Sequence, residues 1–96
     1  MYLEIVSPEA TLLSTTIDSV AVPSLNGEFQ MLNHHAPIIT ILGQGVVKVV
    51  LNAESNIDFD DLSEAFEVST NKTTLKLGIN SGTIESRDNK VIVLVE

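Results

Sequence analysis

Apolar side chains recur at every second position through much of this chain, and that period restricts what it can become. Thr73, Leu75, Leu77 and Ile79 alternate with Thr74, Lys76 and Gly78. Val47, Val49 and Leu51 stand opposite the polar Lys48. A period of two lines one face of an extended strand, whereas a helix repeats every ~3.6 residues. Similar runs rich in Val, Ile, Leu and Thr occupy Tyr2–Ser7, Leu12–Val22, Glu28–Leu32, Ile38–Leu42, Thr83–Ser86 and Val91–Val95. Ile17 and Val20 fall out of phase, which predicts a bulge or bend near Asp18–Ser19. Ser7–Pro8–Glu9, Gly43–Gln44–Gly45 and Arg87–Asp88–Asn89–Lys90 separate the runs, the last as a four-residue hairpin tip. Asn26–Gly27 predicts a two-residue hairpin turn, because both residues tolerate positive φ. Eight or more short strands at this spacing give an all-β chain, a sandwich or flattened barrel.

With 96 residues, the chain is read as a single domain with one modest core. It has no cysteine, which excludes disulfides, thiolate metal sites and thiol catalysis. The net charge of −8 disfavours nucleic acid and anionic lipid as direct partners. No signal peptide or membrane-spanning apolar run is visible. These features point to a soluble chain that meets a membrane only through another protein.

One segment breaks the pattern. Residues 54–67 hold six acids, Glu54, Asp58, Asp60, Asp61, Glu64 and Glu67, and no base. Asp61–Phe66 is compatible with about two turns of helix, with Asp60 or Asp61 as cap and Leu62 and Phe66 on one face. So short a helix needs packing against the sheet. Asp58-x-Asp60 opens like a calcium loop, but the glycine and the spaced glutamate that complete one are missing. The segment is read as a solvated face or extra docking surface.

The centre of the chain runs Gly27–Glu28–Phe29 and then His35–Ala36–Pro37–Ile38–Ile39–Thr40. The start, Leu3–Glu4–Ile5–Val6–Ser7–Pro8–Glu9, the strand Gly45–Val46–Val47–Lys48–Val49, and the end, Ile79–Glu85 and Asn89–Leu94, flank it in order. Together these segments resemble the epsilon subunit of F-type ATP synthases. The resemblance covers most of the chain and implies a sandwich of two five-stranded sheets. It departs at His34, where the family usually has glycine, and over about 52–73, which is longer and more acidic than the family's hairpin. The chain also stops at Glu96, where many members continue into a two-helix C-terminal extension that brakes hydrolysis. The expectation is the sandwich domain alone, without that brake.

The resemblance implies a non-catalytic coupling role in the central stalk, between the gamma subunit and the c-ring, during ion-driven ATP synthesis. It implies a peripheral place on the cytoplasmic face of a bacterial inner membrane, with no cofactor and no metal. Gamma contact falls on His35, Thr40 and Val46, and c-ring contact on Glu28. Each has a plainer reading: His35 as a turn histidine bonded to local backbone, Glu28 as a solvated turn carboxylate, Thr40 and Val46 as ordinary strand residues. His34 and His35 do not suit a metal pair, since adjacent residues in an extended segment point apart. Ser63, Ser81 and the histidines form no recognisable catalytic motif. The alternative is a free-standing β-sandwich adaptor or ligand-binding module.

Overall fold

A strand of 14 residues, β2 (Thr11–Ser24), organises the molecule. In the computed structural model, residues 1–32 and 36–96 are described. The other strands are β1 (Tyr2–Val6), β3 (Gly27–Leu32), β4 (Ile38–Leu42), β5 (Gly45–Leu51), β6 (Phe66–Val68), β7 (Thr74–Ile79), β8 (Gly82–Arg87) and β9 (Lys90–Val95). The first part of β2 pairs with β1, from Thr11 opposite Val6 to Thr16 opposite Tyr2. The second part pairs with β3 on one side and β5 on the other. The strand thereby belongs to two layers. One runs β2–β1–β9–β8–β4 and the other β3–β2–β5–β7–β6. Each layer has five strands when β2 is counted in both, in agreement with the expected sandwich.

The switch between layers lies where the phase slips. Leu13, Thr15 and Ile17 are buried, then Val20 and Val22, while Asp18 is exposed. The register against β5 shifts between Ile17 and Ser19. One extra residue turns the inward set from odd to even positions and bends the strand. At its far end Ser24 pairs with Leu42 of β4, and the Gly43 amide donates to the Pro23 carbonyl at 2.8 Å. The layers therefore also meet there, and the sandwich closes toward a flattened barrel. The core between them includes Leu3, Ile5, Met31, Val47, Val49, Leu75, Ile84, Val91 and Val93, all with no exposed surface. β1 lies antiparallel to β2 and parallel to β9.

Three local expectations need correction. First, residues 54–66 contain no helix. The Asp58 carboxylate accepts the Asp60 amide at 3.1 Å and Ser63 Oγ accepts the Ala65 amide at 3.2 Å. These short side chains offer the backbone turns that compete with a helix. Phe66 instead opens β6, a strand too short for its alternation to be read. Second, the β2–β3 loop is Leu25–Asn26, and only Gly27 takes a positive φ, +113°. Ser24 Oγ accepts the Asn26 amide and donates to the Gly27 carbonyl, fixing the turn one residue earlier than expected. Third, Arg87 and Lys90 pair with each other, so the β8–β9 tip is Asp88–Asn89 alone. Both have positive φ, 53° and 61°, the twist that a two-residue hairpin prefers.

The acidic segment closes one end of the sandwich rather than hanging free. Ile57, Phe59 and Leu62 pack half-buried against the core, and Phe66 is buried. Thr15, buried in β2, accepts the Asn56 amide at 2.7 Å, and Ser55 Oγ donates to the Thr16 carbonyl at 2.5 Å. Lys72 lies over the Phe59 ring, 5.4 Å from its centre.

Candidate docking surfaces

Among the described residues, no group of three or more acidic or histidine side chains is placed to hold a metal ion. Exposed apolar side chains divide between the outer faces of the two layers and one tip.

On the first layer, alternation along β4 turns Ile38, Thr40 and Leu42 toward the interior and Ile39 and Ile41 outward. Thr40 is half-buried, opposite Ile84 of β8. Ile39 is 75% exposed and Ile41 60%. Cross-strand register extends Ile41 into a row through Thr83, Leu94 and Val6, and Leu94 is itself 50% exposed. A second row runs Ile39, Glu85, Ile92 and Glu4. Three large aliphatic side chains thus share one face that a lone soluble domain would gain by covering. Sequence reasoning chose Thr40 and missed its neighbours. The signal was present: Ile38–Ile39–Thr40–Ile41–Leu42 has apolar residues in both phases, so one set must face outward.

Val46 belongs to the other layer. It is 40% exposed on β5 and sits opposite Gly78, whose lack of a side chain leaves its flank uncovered. Lys48, two residues on, shares that outer face and pairs with Glu28 of β3 at 3.1 Å. The two groups reach each other across β2, since Lys48 is opposite Ala21 and Glu28 opposite Pro23. Both remain roughly half exposed, so the pair contributes at most about 1 kcal/mol. The structure therefore brings Val46 and Glu28 to one face and sets Thr40 on the other layer. His35, with His34, lies outside the described residues.

The β2–β3 and β4–β5 turns form a common tip. Leu25, 71% exposed, comes so close to Gly43 that a Cβ there would stand 3.3 Å from its Cδ2 atom. An apolar side chain at the apex of a hairpin whose neighbour is Glu28 is a contact candidate that period-two reasoning does not register. Turn residues carry no alternation.

The family of β-sandwich domains of the ATP synthase delta/epsilon chain matches residues 1–74. An ATP synthase epsilon chain from Chlorobaculum tepidum is 42% identical over 73 residues, covering 76% of this chain and 83% of the relative. One from Campylobacter hominis is 36% identical over 76 residues, 78% of this chain and 58% of the relative. One from Carboxydothermus hydrogenoformans aligns over 92 residues at 29% identity, which is 96% of this chain and 54% of the relative. The chain thus spans little more than half the length of the last two. A chain in the structure of the Tetrahymena thermophila mitochondrial ATP synthase central stalk and c-ring superposes with a TM-score of 0.69, at 12% identity. It covers 99% of this chain and 62% of that one, and at that identity the likeness is one of fold.

Proposed function

This chain belongs to the family of ATP synthase delta/epsilon β-sandwich domains, and from that premise we propose that it works as a non-catalytic epsilon-type subunit of the central stalk. In this reading the sandwich joins the gamma subunit to the c-ring, so that ring rotation reaches the catalytic head. The complex holds it peripherally at the cytoplasmic face of a bacterial membrane. The chain acts as one sandwich domain, with about 52–73 as an insertion.

The observation that carries the reading is the exposure of Ile39, Ile41 and Leu94 on one sheet face. A coupler needs a rigid body and separate docking surfaces, and torque requires that neither surface yield. Close packing between two hydrogen-bonded layers supplies the rigidity. The β4 face supplies an apolar surface suited to gamma, with Thr40 supporting it from beneath. The tip bearing Leu25 and Glu28 supplies the second surface. Glu28 is assigned to the ring. His35 and Val46 remain assigned to gamma.

Co-elution with the cognate gamma subunit on a sizing column tests this. A one-to-one complex that is lost on Ile39→Asp with Ile41→Asp is expected. Two folded proteins that never associate would overturn the reading and leave a free-standing β-sandwich module in its place.

A further inference from the structure

We propose that Asn26–Gly27 is a site of spontaneous backbone-assisted deamidation, the one asparagine among those described whose surroundings combine every requirement of that chemistry. The reaction needs three things. The next residue's amide nitrogen must reach the asparagine Cγ, the next side chain must not obstruct the ring that forms, and the carboxamide must not be held elsewhere. Asn26 and Gly27 are both exposed at the hairpin loop. A Cβ built on Gly27 would meet nothing within 4 Å, so the place a side chain would take beside the attacking nitrogen is empty. Gly27 belongs to the terminal pair of the β2–β3 ladder, where opening is least costly.

The other described asparagines each lack one of these features. The Asn52 carboxamide oxygen accepts the Glu54 amide at 2.9 Å, which locks it into its own turn. The Asn71 oxygen accepts from Ser69 Oγ at 2.8 Å and Thr73 Oγ1 at 2.7 Å. Asn56 and Asn89 precede Ile57 and Lys90, whose side chains crowd the attacking nitrogen. Asn80 precedes Ser81, a smaller obstacle but still a Cβ.

The step balances without any outside oxidant or cofactor. The Gly27 nitrogen attacks Asn26 Cγ and loses its proton, and the carboxamide nitrogen leaves as ammonia. Water then opens the cyclic imide at either carbonyl, giving aspartate or isoaspartate. The isoaspartyl form inserts an extra carbon into the backbone of the loop. Both forms place a new carboxylate two residues from Glu28. On the reading above, that carboxylate alters the tip assigned to the ring, but the conversion itself does not depend on that reading.

The test is incubation of the purified folded chain at mildly alkaline pH, followed over time by isoelectric focusing and peptide mass mapping, beside Asn26→Gln. The expected result is a progressive acidic species with the converted residue at position 26 and isoaspartate in the peptide. Asn26→Gln should keep a single band over the same period. Conversion first at Asn80 or Asn33, an unchanged wild-type chain, or acidic species forming equally fast in Asn26→Gln would each overturn the proposal.

Discussion

Ile39, Thr40 and Ile41 show how much one step along a strand decides. Thr40 turns toward the core side and its neighbours turn to solvent. Replacing Ile39 and Ile41 by Asp should abolish gamma capture at a modest cost in stability, about 1 kcal/mol, because Asp is unfavourable in a strand and position 39 stands opposite Glu85. Sizing chromatography and thermal unfolding together check it; a large fall in melting temperature would mean that these residues serve the fold instead. Gly82 is a different case. A Cβ there would stand 2.2 Å from the Leu94 carbonyl oxygen, and backbone cannot step aside as a flexible side chain can. Gly82→Ala should cost about 2 kcal/mol or more, read by urea denaturation. An unchanged midpoint would show that β8 and β9 can separate at no cost.

At the scale of elements, the acidic segment at 54–67 and the hairpin tips each make a testable demand on stability. Phe66→Ala should destabilise by roughly 3 kcal/mol, since it empties a buried position against the core. Thr15→Val should cost about 1–2 kcal/mol by leaving the Asn56 amide without its acceptor. If both variants melt like the parent, the segment is a passive loop rather than a closure over the end of the sandwich. At the β8–β9 tip, changing Asp88 and Asn89 together to Ala places two alanines at positive φ, with an expected loss of about 2 kcal/mol. The acidic segment also marks a limit of element-level reading. Leu62 and Phe66 were legible as residues that need burial. Their helical spacing was not decisive, because Asp58 and Ser63 could bond their own backbone more cheaply than a two-turn helix could form.

At the scale of the whole molecule, the two layers share β2, so neither is expected to unfold alone. Fluorescence of Tyr2 and far-ultraviolet dichroism should give coincident denaturation curves. Folding should take milliseconds to seconds, as pairings such as β1 with β9 join distant parts of the chain. Separate transitions for the two probes would mean that β2 does not couple the layers. The all-β class, most strand positions, the bulge near Asp18 and the resemblance to the epsilon family were all readable from the sequence. Alternation, turn residues and motif order are local properties that each short segment carries within itself. Only the tertiary structure decided that β2 serves both layers, that β1 and β9 run parallel, and that Val46 shares a face with Glu28 and not with Thr40. It also decided that Ile41, Leu94 and Val6 form one row. Those facts depend on which strands become neighbours and in what register, and pairing between distant segments leaves no period in either segment alone.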